Sequence, residues 1–337
     1  MDVTTLMVGW GWTFDELQAG WQEIEALGYD ACYLGDDLFP HYYEDDPAAA
    51  QEAVAVYDPW TVLPVMAATT KRMRIGSLVT PCGRRHPALF AKITTLVDII
   101  SEGRLTVSLG AGNAPDQTKA CGLPFLTPRE RVAMLEEEVR ILDSLWTKSR
   151  TSFEGQYYQV RDLVHAPKPS RKPRPELQFG FSSPKFLTRL AAEFADRVNL
   201  FSGSDEEVQA AIDALHAHCR DFRRNPDEIV KTRAAIVTFT EKEVSEGERD
   251  DVIRARALEM KRDPEELLEE FRYALAYVGP PGGCAEALRE RTEPLGIGEL
   301  VVFPETIAEN PYERTMAGLR TFASQVMPAL QALPHSN

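Results

Sequence analysis

Two short apolar runs constrain the fold of this chain more than any other feature. They are Arg74-Ile75-Gly76-Ser77-Leu78-Val79-Thr80-Pro81 and Ser101-Glu102-Gly103-Arg104-Leu105-Thr106-Val107-Ser108-Leu109-Gly110-Ala111-Gly112, and each ends in small or hydroxyl residues. Between them a helical stretch opens at His86-Pro87 and runs to about Ile100. Strand, crossover helix and strand make a βαβ unit, and such a crossover joins parallel strands. Small residues at the C-terminal end of a strand let a flat ligand come close to the backbone.

The alternation continues on both sides of this unit. Strands are expected over Thr4–Trp10, Ala31–Leu34, Met73–Val79, Arg104–Leu109, Glu176–Phe181, Arg197–Phe201, within Ile229–Thr240, and over Glu299–Phe303. Helices are expected over Asp15–Leu27 with Thr13 as N-cap, Pro59–Thr69 with Asp58 as N-cap, Pro87–Ile100 and Pro128–Trp146. Val132, Leu135, Val139, Leu142 and Trp146 of the last share one face. Further helices are read over Lys185–Ala195, Asp205–Phe222, Cys284–Arg291 and Tyr312–Ala329. Phe153–Val160 reads as a small hairpin arm, Pro167–Pro175 as a connection, and the charged stretch of about 241–270 as an insertion in which Asp263-Pro264 restarts a helix. Eight strands alternating with helices predict an α/β fold, a (β/α)8 TIM barrel with insertions, as a single domain over 1–337. A doubly wound sheet would need a Gly-rich fingerprint after the first strand, which Gly9-Trp10-Gly11-Trp12 does not supply.

Charge and cysteine usage exclude several partners. A net charge of −15 argues against nucleic acid and against anionic membranes, both of which call for a basic face. The basic run Lys168–Arg174 reads as an extended, solvated loop. Cys32, Cys82, Cys121, Cys219 and Cys284 are scattered, without a CxxC pair, so neither a disulfide framework nor a zinc knuckle is expected. His216 and His218 fall on different helix faces, and no metal site is expected there. Met1–Trp12 lacks a basic segment followed by an apolar one, and no apolar run approaches the ~20 residues that span a bilayer, so a cytoplasmic protein is expected.

A barrel of this kind carries its chemistry at the C-terminal ends of its strands. That rule selects Trp10 and Trp12, then Asp36, Asp37 and His41, then Ser77 to Pro81 and Gly110 to Asn113. It adds Gly180, Ser182 and Ser183, Ser202 and Gly203, Thr238, and Pro304-Glu305. The set is rich in small, hydroxyl and aromatic side chains and poor in His and Cys, which suits a flat, phosphorylated organic ligand better than a metal cage. Ser182 and Ser183 lead into a helix, where free N–H groups and hydroxyls cap the helix or bind a phosphate. Gly180-Phe181-Ser182-Ser183-Pro184 is not a GxSxG nucleophile elbow, which disfavours a hydrolase. Trp10, Trp12, Phe39, Tyr42 and Tyr43 are placed either to wall an aromatic pocket or to serve as core or dimer contacts.

With these residues in view, the chain resembles the bacterial luciferase-like family of flavin- and deazaflavin-dependent oxidoreductases over nearly its whole length. The resemblance rests on Gly76-Ser77-Leu78-Val79-Thr80-Pro81, Arg85-His86-Pro87-Ala88, the stretch Asp98 to Leu105, Gly110-Ala111-Gly112, Gly155-Gln156-Tyr157-Tyr158, Phe179-Gly180 and Ala195-Asp196-Arg197-Val198-Asn199. Leu215-His216-Ala217-His218-Cys219 followed by Asn225-Pro226-Asp227-Glu228-Ile229 is similar to the branch that uses coenzyme F420, a deazaflavin. The resemblance implies a non-proline cis peptide at Ser77-Leu78 supporting the cofactor ring. It also implies ring-edge contacts from Thr80 and Gly110-Ala111-Gly112, a phosphate held by Ser182 and Ser183, an acidic Asp36 near ring and substrate, and a homodimer.

Three positions depart from the family pattern. Asp36-Asp37 stands where the family commonly reads Asp-His, Asn113 where relatives carry Trp or Glu, and Gln117 where a Glu is common. The usual proton donor therefore does not carry over: Asp37 or His41 takes that work, or the reaction needs none. The leading expectation is an enzyme that moves a hydride between coenzyme F420 and a small organic substrate. The alternatives are an FMN-dependent monooxygenase using reduced flavin and O2, and a non-catalytic flavin-binding protein.

Overall fold

The computed structural model describes residues 1–39, 54–181, 187–200, 203–259, 263–305 and 311–332. The chain begins with β1 (Asp2–Met7), α1 (Phe14–Ala26), β2 (Ala31–Leu34), α2 (Pro59–Thr69), β3 (Arg74–Ser77), β4 (Thr80–Pro81), α3 (Pro87–Ile100) and β5 (Leu105–Gly110). There follow α4 (Pro115–Ala120), α5 (Pro128–Thr147), the hairpin β6 (Arg150–Glu154) and β7 (Gln159–Val164), β8 (Glu176–Phe181), α6 (Thr188–Phe194), β9 (Arg197–Leu200), α7 (Asp205–Asp221) and β10 (Val230–Phe239). The remainder is α8 (Glu246–Glu259), α9 (Pro264–Tyr273), β11 (Leu275–Gly279), α10 (Pro281–Thr292), β12 (Glu299–Glu305), α11 (Pro311–Gln325) and α12 (Met327–Gln331).

The strands β1, β2, β3, β5, β8, β9, β10 and β12 pair in parallel in that order, and β12 returns to β1, which closes the expected (β/α)8 barrel. The local signals act as anticipated. Thr13 and Glu16 form a reciprocal capping box on α1, and the Asp58 side chain accepts from Thr61 N at 2.9 Å on α2. Leu135, Val139, Leu142 and Trp146 of α5 are buried.

Several boundaries move for identifiable reasons. β1 stops at Met7 because Gly9 and Gly11 adopt φ of +62° and +77°, outside extended geometry. The single strand expected over Met73–Val79 is broken after Ser77 and resumes at Thr80, and the non-proline cis peptide joins Leu78 to Val79, one residue later than the resemblance implied. The last helix divides at Val326, because Pro328 has no N–H to continue it. β11 was not anticipated: its five residues pair in parallel with the upper half of β10, while β9 takes the lower half. The basic run is also more than a solvated loop. Lys168 caps the end of α5 through the Leu145 and Lys148 carbonyls, and Arg174 pairs with Asp196 at 2.6 Å.

Strand alternation sorts the side chains into two environments. Val3, Ile75, Val107, Leu177, Val198, Val237 and Leu300 face outward into the main core under the helices. The intervening residues face the lumen, which is largely polar. Ser108 Oγ donates to Gln178 Oε1 at 3.1 Å, and Gln178 Nε2 donates to Thr232 Oγ1 at 3.2 Å. A small apolar cluster of Ala31, Tyr33, Leu78 and Val301, with half-buried Leu6, Val79 and Phe303 against it, lines the lumen from the level of Arg74 upward. The charged insertion, α8 and α9, has a core of its own (Ile253, Ala257, Leu267, Leu268, Phe271 and Val278). It rests on Ile236 and Ala276, and Ile236 shares its side of β10 with Thr232 and Ala234.

At the foot of the barrel the first residues of four strands form a buried ionic plug. Glu299 Oε2 accepts from Arg74 Nη2 and from Arg197 Nη1, both at 2.6 Å, and Arg197 Nε donates to Glu176 Oε2 at 2.9 Å. Thr106 Oγ1 also donates to Glu176, at 2.8 Å. Burial raises the Glu176 pKa, but Arg197, Arg74 and Arg171 outweigh it and hold the carboxyl below its usual range. This stabilisation is present above the ordinary carboxylate pKa and is lost as pH falls through the depressed value. Arg197→Met strips one partner from each of two buried carboxylates. We expect a loss of about 3–5 kcal/mol in denaturant unfolding at about pH 7, and a smaller loss in acid, once Glu176 has gained a proton.

Candidate active site

The barrel mouth is built around the break between β3 and β4. Leu78 N donates to Leu34 O at 2.9 Å, which ties the break to β2, and Cys82 N donates to Gly110 O at 2.8 Å, which ties it to β5. Val79 points across the lumen toward β5 and β8. A Cβ added to Gly110 would lie 2.7 Å from Val79 Cγ2, and one added to Gly180 would lie 2.8 Å from Val79 Cγ1. Both glycines are therefore space for the Val79 isopropyl group, the protein's own filling of the upper lumen.

Ser77 and Thr80 bracket the break from the other side. Their hydroxyl oxygens are 2.7 Å apart, and Trp60 Nε1 donates to Thr80 Oγ1 at 2.8 Å. Trp60 belongs to α2 and packs edge-on against Phe90 of α3, at 4.7 Å between centroids. Both hydroxyls are thus held in the layer between barrel and helices. The backbone of 110–112 is equally constrained. Ala111 O accepts from Arg131 Nε at 3.1 Å, and Gly112 has φ +79° with Pro81 close by. Asn113 is exposed at the rim.

The acidic doublet after β2 meets a basic doublet after β4. Asp36 is buried, and its Oδ1 accepts from Arg84 Nη1 at 3.0 Å while its Oδ2 accepts from Arg85 Nη1 at 2.7 Å. Arg84 also donates to the Asp36 carbonyl, and Arg85 reaches on to the Asp58 carboxylate. Gln117, fully buried on α4, clamps the next residues: its Oε1 accepts from Leu38 N at 3.0 Å, and its Nε2 donates to Phe39 O at 3.0 Å and Asp37 Oδ1 at 3.3 Å. The amide in the place of the family's Glu therefore holds a loop.

Behind the basic doublet lies a cluster that the residue list above lacks. Glu138 of α5 is buried, and its Oε2 accepts from Gly83 N at 3.2 Å and from the Tyr158 hydroxyl at 3.3 Å. Burial pushes its pKa up to about 7, against the pull of these two donors and of Arg85. Glu137 accepts three successive backbone N–H groups, from Gln156, Tyr157 and Tyr158, at 2.7, 2.9 and 3.0 Å. It thereby fixes the turn of the β6–β7 hairpin. The visible signal for the doublets was two adjacent acids after one strand and two adjacent arginines after the next. Glu138 lies on the buried face of its helix, three residues after Leu135 and four before Leu142, but as one of three successive glutamates it did not stand out.

Trp12 lies in the core under α1, edge-on to Tyr312 at 4.9 Å, and so does not wall a pocket. His41, Tyr42, Tyr43, Ser182, Ser183 and Ser202 lie outside the described residues. Among the described residues no group of three or more His, Cys, Asp or Glu side chains is gathered to hold a metal, and no helix is long and apolar enough to cross a membrane.

This architecture has known relatives. The chain is 32% identical over 185 residues to an F420-dependent glucose-6-phosphate dehydrogenase of Microbacterium testaceum, a match covering 55% of this chain and 52% of that protein. It is 32% identical over 161 residues to an FMNH(2)-dependent dimethylsulfone monooxygenase of Pseudomonas putida, covering 47% of this chain and 43% of that one. Each of these matches thus spans about half of the relative. In fold it superposes on an F420-dependent secondary alcohol dehydrogenase, solved with an F420-acetone adduct, with a TM-score of 0.78 at 17% identity over 98% of both chains. The model of the luciferase-like monooxygenases matches residues 6–297, and the chain belongs to that family.

Proposed function

We propose that this chain is an oxidoreductase that moves a hydride between coenzyme F420 and a small organic substrate. The observation that carries the reading is the mouth itself. A half-buried apolar floor of Leu6, Val79 and Phe303 lies below the 110–112 backbone, with a buried carboxylate, Asp36, fixed among the loops beside it. A flat ring fits such a floor. When bound, the deazaflavin supplies the hydride chemistry; the chain supplies position, exclusion of water and proton handling. Leu78, Val79 and the 110–112 backbone would carry the ring, with Ser77 and Thr80 fixing the break from behind. Ser182 and Ser183 remain the proposed phosphate ligands.

The Asp36 oxygens are engaged by two guanidinium groups, so Asp36 serves to anchor the mouth. We therefore assign the proton to Asp37, half-buried beside the Gln117 amide, with His41 as the second candidate and Asn113 as a rim contact. Because Arg84 and Arg85 are paired with Asp36 and Asp58, the reading favours an uncharged alcohol or carbonyl substrate over an anionic one. The relative named as FMNH(2)-dependent supports a second reading, an FMN-dependent monooxygenase using O2. We further read residues 1–337 as one cytoplasmic barrel domain that does not bind nucleic acid. We also read it as a homodimer, because Leu89 and Leu96, 61% and 53% exposed, lie on one outer face of α3.

Three experiments test this reading. Fluorescence titration with F420 and, separately, FMN should show binding of the deazaflavin; binding of FMN alone would transfer the assignment to the monooxygenase, and binding of neither would favour a non-catalytic protein. Asp37→Asn should lower kcat by about 10²–10⁴-fold with F420 affinity unchanged, and a kcat within about twofold of wild type would remove Asp37 from the chemistry. Light scattering should give a dimeric mass that Leu89→Asp combined with Leu96→Asp reduces to a monomer; a monomeric wild type would reject the dimer.

A further inference from the structure

Tyr158, Glu138 and Gly83 join the hairpin, helix α5 and the arginine loop in one buried contact. The tyrosine is supplied by the β6–β7 turn, whose backbone is fixed on Glu137. Its ring meets His86 edge-on at 5.6 Å, and its hydroxyl donates to Glu138. The other donor to the same Glu138 oxygen is Gly83 N, directly before Arg84 and Arg85. Gly83 has φ +78°, a conformation that favours glycine, and a Cβ there would lie 2.6 Å from Met134 Cε, so the loop packs against the Met134 side chain of α5. A carboxylate buried among apolar groups is costly unless its acceptors are used. Here the donors it uses belong to the loop that grips Asp36.

We propose that Glu138 is a positioning residue: by accepting the Gly83 N–H it sets the pose of the loop that delivers Arg84 and Arg85 to Asp36, and through them the geometry of the mouth. Its catalytic consequence rests on the oxidoreductase reading above; the structural claim does not. The charged and titratable groups acting on Glu138 are Cys82 and Arg85 from the loop and Tyr158 from the hairpin; His86 and Glu137 act on Tyr158, and Arg131 on Cys82. Burial holds the thiol of Cys82 and the phenol of Tyr158 above their ordinary ranges, with Glu138 adding to both, so near neutral pH both stay uncharged while Glu138 changes charge. Protonation weakens the acceptor offered to Gly83, but it also relieves the larger cost of burying the charge, which is what raises the Glu138 pKa in the closed loop. An opening that hydrates Glu138 is therefore favoured by ionisation, and the loop is held more firmly below this transition than above it.

Amide exchange read at residues 83–85 of the free protein tests this without any cofactor. After correction for intrinsic rates, wild-type protection should fall about fivefold to tenfold between about pH 6 and about pH 8. Glu138→Gln, which keeps an acceptor but has no charge to change, should show a flat profile, and Glu138→Leu should lose about tenfold or more at both pH values while amides of α10 keep theirs. Protection at 83–85 within about twofold of wild type in both variants would overturn the proposal. With F420 bound, kcat of the wild type should follow the same pH transition and Glu138→Gln should abolish it. A kcat transition that persists in Glu138→Gln would also overturn it. Failure of F420 to bind any variant would defeat the functional reading, and the exchange measurement would still decide this one.

Discussion

Everything at the mouth depends on a charge arrangement at the opposite end of the barrel. Arg74, Glu176, Arg197 and Glu299 are the first residues of β3, β8, β9 and β12, and their side chains meet in the lumen within hydrogen-bonding distance. Desolvating four charges is expensive, and their mutual attraction offsets that cost only when the geometry is right. A shift by one residue in any of these strands would turn its charge into the apolar layer outside. The plug thus favours a single register for four of the eight strands, and so determines how high each one rises before it yields to a loop.

From that register follows the placement of the mouth residues. Asp36 follows the end of β2, while Arg84 and Arg85 follow β4, so acid and guanidinium meet at one level. Gln117 on the short helix α4 and Glu138 on the long helix α5 then hold the two loops from outside. The mouth is an assembly of loops held by neutral or compensated contacts.

The elements of strong pattern were legible from the chain. α2 with its Asp58 cap, α3 opening at Pro87, β2 and β8 all fall where periodicity and capping residues place them. What escaped were features set by tertiary contact. The break after Ser77 exists because Val79 turns into the lumen over two glycines; the family resemblance implied a cis peptide one residue earlier, while the pattern of residues 73–79 read alone continued the strand. β11 is too short and too close to the charged helices to stand out, and it forms because the upper half of β10 has an edge to offer. At the site, Asp36 and the Gly110–Gly112 turn were visible from the strand-end rule, whereas the employment of Ser77 and Thr80 by Trp60 required the position of a helix distant in sequence.

The seat of Val79 restricts how this barrel can change over time. Gly110 and Gly180 come from different strands, and each leaves a void shaped to one methyl branch of a third residue. Enlarging either glycine alone collides with Val79; shrinking Val79 alone opens a hollow in the floor of the mouth. The three positions form an epistatic set whose members drift together or stay fixed. A lineage that enlarged its mouth downward would pass through paired substitutions, so new substrates are reached more readily through the rim loops than through the floor.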